Sequence, residues 1–205
     1  FKQKPPEFNT VDFLIETHKD SSGRDIVFTQ RSINSAATYY KTITLKVGYR
    51  GGQGNVLLPG TTSREMALDA AYESVPFRGY QPIPFIPTSH FIYINDGQPA
   101  PKEVYYTTRI AVDSPTAPMR TIENSTFIDG AVVEFSYDKN AELFHQWKPL
   151  RVRYDKTSGN DYTTADSNWT SICEPITNDL LLRAPNNVFM LTDADRESND
   201  DVYYN

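Results

Sequence analysis

From Thr42 to Tyr49 polar and apolar residues alternate strictly, with Ile43, Leu45, Val47 and Tyr49 on one face, the period-two signature of a strand with one buried side. Further strands are predicted at Ile26 to Thr29, Phe91 to Ile94, Val104 to Val112, Gly130 to Tyr137 and Trp147 to Tyr154. The start, Phe1 to Glu16, reads as extended, broken by Pro5 and Pro6 and followed by the apolar run Val11, Phe13, Leu14 and Ile15. Turns are predicted at Ser21-Ser22-Gly23 and at Asp96-Gly97. Thr62 and Glu65 have capping-box spacing and open a short helix to about Ser74, and a second helix runs from about Thr164 to Cys173, ahead of Pro175. The Gly-rich stretch around Gly51-Gly52-Gln53-Gly54 lacks the Lys-Ser/Thr pair of a phosphate-binding P-loop and reads as a connector. No internal repeat is visible.

Composition sharpens the class. Thirteen Tyr and eleven Phe favour pleated structure, and fourteen Pro oppose long helices, so the chain reads as mainly β. At 205 residues it has room for one good core, or a barrel with a sizeable insertion. The net charge of -6 excludes a uniformly basic RNA-coating protein, so any phosphate recognition must be local. The single cysteine, Cys173, rules out an internal disulfide and suits a reducing compartment. No apolar run is long enough to span a bilayer and no signal-peptide pattern opens the chain; the expectation is a soluble intracellular protein with no membrane partner. His18, His90 and His145 lack ligand spacing, so no metal is assigned to the chain itself.

Two segments carry chemistry. In Phe1-Lys2-Gln3-Lys4-Pro5, an extended backbone points Lys2 and Lys4 the same way, with Cα atoms roughly 6 to 7 Å apart. The pair is either a solvated terminus or a holder of adjacent phosphates. In Trp147-Lys148-Pro149-Leu150-Arg151-Val152-Arg153-Tyr154-Asp155-Lys156, alternation puts Arg151, Arg153 and Asp155 on one face with Lys156 following. Guanidinium forks suit phosphate oxygens, and a neighbouring carboxylate can orient them. The same row is also what a charged edge strand would carry.

Phe1 to Pro5 with Asn9-Thr10-Val11-Asp12-Phe13 resembles motif V of the mRNA-capping guanylyltransferases, K-x-K-P followed by N-T-[IV]-D-F. Gly130-Ala131-Val132-Val133-Glu134-Phe135 resembles that family's G-x-I-V-E strand, and Trp147 to Lys156 its motif VI, W-x-x-x-R-x-R-x-D-K. The wording around motif VI, and the acidic tail, are most similar to the multifunctional capping enzymes of large cytoplasmic DNA viruses. The resemblance covers roughly half of the chain.

It implies an OB-fold barrel with a large insertion and short helices. Residues 1–16 would end a nucleotidyltransferase domain, 17–190 would form the OB domain with its insertion at about 51–122, and 191–205 would lead toward a following domain. It also implies that Lys2 and Lys4 hold the α-phosphate of GTP, and that Arg151, Arg153 and Lys156, with Asp155, meet the β- and γ-phosphates when the barrel closes. Mg2+ or Mn2+ would arrive with the phosphates. The implied partners are a 5′-diphosphate RNA end, an upstream nucleotidyltransferase domain and a downstream cap methyltransferase, in the host cytoplasm or virion if the source is viral. The family's nucleophilic lysine lies in K-x-D-G, which this sequence lacks, so the segment alone is expected to be inactive. Two alternatives are the OB domain of a DNA or RNA ligase and a non-catalytic OB module that binds single-stranded RNA on aromatic platforms.

Overall fold

A computed structural model describes residues 9–30, 38–50, 80–94 and 97–174. The chain divides into a unit Phe1–Pro175 and a unit Ile176–Asn205, and every described residue belongs to the first. The helix expected at 62–74, Lys2 and Lys4, and the tail after Pro175 lie outside the described residues.

The fold is mainly β and OB-like. Its main sheet is built around β3 (Thr38–Arg50), whose length lets each edge serve two partners. Along one edge β3 pairs with β2 (Val27–Gln30) and β1 (Thr10–Thr17); along the other it pairs with β4 (Tyr80–Pro84) and β7 (Thr107–Val112), all antiparallel. β1 continues the sheet to β10 (Val132–Tyr137), and β10 to β11 (Trp147–Val152). Two small hairpins, β5 (Tyr93–Ile94) with β6 (Gln98–Pro99) and β8 (Met119–Arg120) with β9 (Thr126–Phe127), decorate it. The helices are a single turn, α1 (Glu103–Tyr106), and α2 (Tyr162–Cys173).

The expected alternation of β3 holds, since Ile43, Leu45 and Val47 are fully buried. Val11, Phe13 and Ile15 of β1 and Val133 and Phe135 of β10 meet them from the neighbouring strands. Aromatic rings fill the centre edge to face: Phe13 lies 5.0 Å from Trp147, and Tyr137 sits between Trp147 at 4.9 Å and Trp169 of α2 at 4.8 Å. Both indoles are satisfied, Trp147 donating to the Tyr105 carbonyl and Trp169 to that of Ser89. α2 therefore owes its place to the core it covers with Tyr162, Ala165 and Trp169 more than to its own propensity.

Three sequence expectations change. Residues 104–112 are not one strand, because Pro101 opens a turn that folds Val104 and Tyr105 inward, where the Tyr105 hydroxyl accepts the Ile92 N–H. Within the expected insertion, β4 and β7 hydrogen-bond to β3 and are part of the main sheet. Of residues 1–16, expected to end a nucleotidyltransferase domain, the stretch 10–16 pairs on both edges inside this sheet: Val11, Phe13 and Ile15 are apolar at alternate positions and belong to this core.

Candidate functional site

The cationic site forms where β1, β10 and the end of β11 meet on the outer face of the sheet. Strict alternation along β11 would put Trp147, Pro149 and Arg151 on one side, and the first two are buried. A β-bulge resolves the conflict. Phe135 faces Pro149 while Glu134 faces Arg151, so Leu150 is an extra residue and the phase reverses after it. Arg151 and Arg153 turn outward and Val152, opposite Val133, turns in. The strand ends at Val152, earlier than predicted, and a turn closed by the Lys156 N–H on the Arg153 carbonyl brings Lys156 back over β1.

Three cations meet three carboxylates there. Arg153 donates through Nη1 to Oδ2 of Asp12 at 2.8 Å and grips Asp155 with Nε and Nη2 at 3.1 and 3.0 Å. Lys156 reaches the same Asp12 oxygen at 2.5 Å. Arg151 donates to Glu134 at 2.6 Å, and the other Glu134 oxygen accepts the Thr10 hydroxyl at 2.6 Å. The Asp12 side chain is 7% exposed, Arg153 20% and Lys156 34%. An anchored carboxylate thus holds two cations that keep a solvent-facing side.

The electrostatics follow from these contacts. The Arg153 fork, above all, holds Asp155 down to about 2. Burial opposes ionisation of Glu134, but hydrogen bonds from Thr10 and Arg151 outweigh it and keep its carboxyl below the usual range. Asp155 foremost, and Asp12, raise Arg153 further against the effect of burial. Three cationic side chains thus face three acidic ones. One orphan remains: Asp12 Oδ1 is buried without a hydrogen-bond partner.

Asp12 is fixed by a loop the sequence reading left without a role. Asn160 brackets it, accepting the Asp12 N–H on Oδ1 at 2.7 Å and donating its own N–H to the Asp12 carbonyl at 2.7 Å, while its carbonyl takes the Gly48 N–H at 2.8 Å. The loop comes this close only because residue 159 is glycine: a Cβ there would lie 2.9 Å from Asp12 O, Leu14 N and Lys46 O, all backbone atoms. Asp12, Glu134, Gly159 and Asn160 are the residues a motif reading passes over. Asp12 and Glu134 stand inside the N-T-V-D-F and G-x-I-V-E segments, where an acid between core residues was the available signal.

Arg151, Arg153, Asp155 and Lys156 are brought together as a group; Lys2 and Lys4 lie outside the described residues. Among the described residues no group of three or more His, Cys, Asp or Glu could hold a metal ion. Each carboxylate of the cluster is engaged by Arg or Lys, so these residues offer a cation no cage of their own. Among the described residues no helix is long and apolar enough to cross a membrane.

The fold and site define an OB-like β domain with a clustered R-x-R-x-D-K segment. Residues 85–182 match the family model of the mRNA capping enzyme, C-terminal domain. The chain is also 27% identical over 194 residues to a probable mRNA-capping enzyme of Acanthamoeba polyphaga mimivirus. That alignment covers 88% of this chain and 13% of the viral protein. Residues 85–182, just under half of the chain, are thus similar to the C-terminal domain of mRNA capping enzymes, and the chain spans only a small part of the length of the viral relative.

Proposed function

We propose that this domain is the closing lid of an mRNA guanylyltransferase. The observation that carries the reading is the pairing of Arg153 and Lys156, both within the stretch 85–182 that matches the capping-enzyme model, on one buried carboxylate, Asp12, with their outer sides open. In the resting state the cations are parked on Asp12, Glu134 and Asp155. When the domain swings over GTP, the β- and γ-phosphate oxygens take the place of those carboxylates. The Arg153 fork and Lys156 then bear the charge that develops on the leaving pyrophosphate, with Arg151 beside them.

The chemistry belongs to a lysine on a partner nucleotidyltransferase domain. Its neutral amine attacks the α-phosphorus, a P–N bond forms, the P–O bond to pyrophosphate breaks, and the amine proton leaves to solvent; GMP then passes to a 5′-diphosphate RNA end. Lys2 and Lys4 would steady the α-phosphate. A divalent cation, Mg2+ or Mn2+, when bound with the phosphates, would neutralise part of their charge. Reopening releases pyrophosphate and admits RNA. The lid alone has no nucleophile and is inactive in this reading, and a cap methyltransferase downstream would complete a multifunctional viral enzyme of the host cytoplasm or virion.

Nucleotide preference tests it. The full-length protein, given radioactive nucleotide, should form a covalent GMP adduct from GTP, stable to alkali and labile to acid as a P–N bond requires, and none from ATP. An AMP adduct would move the domain to the ligases, and no adduct from either would leave a non-catalytic module.

A further inference from the structure

A second arrangement of cations and rings lies on the outer face of β2, β3 and β7. Cross-strand pairing sets Phe28, Tyr40 and Ala111 in a row, with Arg109 one step along on the same face. The Arg109 guanidinium lies 5.5 Å from the centre of the Phe28 ring and 5.3 Å from that of Phe144. Tyr40 meets His145 edge to face at 5.0 Å. Beside them Gln30, Thr38, Tyr40, Glu142, His145 and Lys148 line an open cleft of about 410 Å3.

Three features separate this face from ordinary surface. First, among the described residues neither Arg109 nor Lys148 is paired with a carboxylate, a condition they share with Lys102, Arg120 and Lys139 but not with Lys19, Lys41, Lys46, Arg151, Arg153 and Lys156. Second, Phe144 sits at φ 66, a conformation bulky residues rarely adopt. The Arg109 N–H and the Thr108 hydroxyl, at 2.7 and 3.1 Å, both donate to its carbonyl and hold it there with its ring against Arg109. Third, one ring is presented outright, Phe28 at 48% exposure, with Tyr40 and Phe144 half-buried beside it. Burial foremost, then Arg109 and Lys148, hold His145 below its ordinary pKa, so at neutral pH the ring is uncharged and available for stacking.

The bulge at Leu150 ties this face to the motif VI cluster. Lys148 lies opposite Ser136 and Arg151 opposite Glu134, so both lie on the outer face of β11, with Cα atoms roughly 10 Å apart at strand rise. Exposed rings with unpaired cations between them are the chemistry of single-stranded polynucleotide binding: every base has a face to stack, and the backbone needs local positive charge. A protein of net charge -6 gathers no nucleic acid by its global field, so these cations must act at short range. A partner protein seeking apolar burial would find two cations in the middle of the patch.

We infer that the Phe28–Arg109–Phe144 face, with Tyr40, His145 and Lys148, is a track for single-stranded RNA that leads along β11 to Arg151 and the motif VI cations. That the strand is RNA rests on the capping reading; the surface chemistry does not. The track would deliver the 5′ end to the site where the lid closes.

Fluorescence polarisation of the 205-residue chain with an end-labelled single-stranded RNA of about 15 nucleotides, the upper range of an OB-type site, tests this. The parent should bind the strand and bind duplex RNA of the same sequence poorly. Phe28→Ala and Lys148→Gln, both changes away from the core, should each weaken binding by about tenfold with thermal unfolding unchanged. Lys148→Gln should also reduce the salt dependence by about 0.7 in log-log slope, the value of one phosphate on a single strand. No binding by the parent, equal affinity for duplex, or parent-like binding by both variants would overturn the inference and leave the face a structural stack or a protein-docking surface. The assay contains no nucleoside triphosphate, so its result stands apart from the fate of the lid reading.

Discussion

Replacing Gly159 by alanine adds one methyl group and should unseat the loop that positions Asp12. The new Cβ would stand 2.9 Å from Asp12 O, Leu14 N and Lys46 O, and none of these strand backbone atoms can move without breaking the β1–β3 pairing. The loop must lift instead. Lifting it breaks the Asp12 N–H to Asn160 Oδ1, Asn160 N–H to Asp12 O and Gly48 N–H to Asn160 O bonds. At about 1 kcal/mol net for each, the loss is about 3 kcal/mol, near the upper end of what overpacking costs elsewhere. For a domain of this size that lowers Tm by about 6 to 12 °C. Near-UV circular dichroism during thermal unfolding reports the buried indoles of Trp147 and Trp169 directly. Thr157→Ala, at an exposed position just before the same loop, is the reference and should stay within about 0.5 kcal/mol of the parent. A Gly159→Ala protein that melts with the reference would refute the claim that this contact fixes the loop.

Asp12→Asn keeps the shape but removes the charge shared by Arg153 and Lys156. Two cations lose their anionic acceptor and keep at most a neutral one, so urea unfolding should show a loss of about 2 kcal/mol, and no loss would mean that the shared carboxylate is not what anchors the cations. The folded-state pKa values of Glu134 and Asp155 lie below their ordinary values of 4.5 and 3.8, Asp155 at about 2. The unfolded chain therefore binds more protons as pH falls, and the stability these groups contribute is whole above about pH 5 and drains away from there toward pH 2. Chemical denaturation at a series of pH values should show that decline, and Glu134→Gln should make it shallower; an identical slope in the variant would contradict the assignment.

Much of the architecture was legible because its signals are local. The alternation of Ile43, Leu45 and Val47 marked one central strand, the apolar-rich stretch from Gly130 to Tyr137 pointed to another, and Pro175 marked the end of α2. The cationic cluster was legible in the residues of motif VI, but its geometry was not. Period-two reading places Trp147 and Arg151 on the same side, and only the tertiary demand that Trp147 be buried reveals the bulge. The same holds for β1, whose membership in this sheet depends on pairing with β10 more than a hundred residues later. Asp12 and Gly159 acquire meaning only when β1 and the 159–161 loop are seen against each other, a contact no window along the chain contains.

In the proposed lid, Arg153 leaves its carboxylates for the phosphates of GTP. Rapid-quench measurement of a single turnover, from bound GTP to the lysyl-GMP adduct in the full-length protein, tests this most directly when parent and Arg153→Ala are compared at saturating nucleotide. Loss of one charge-stabilising donor in the transition state should slow the step by about a hundredfold or more, with the near-UV circular dichroism of the folded domain preserved although the ion pairs to Asp12 and Asp155 are lost. Adduct formation at the parent's rate would contradict the lid reading.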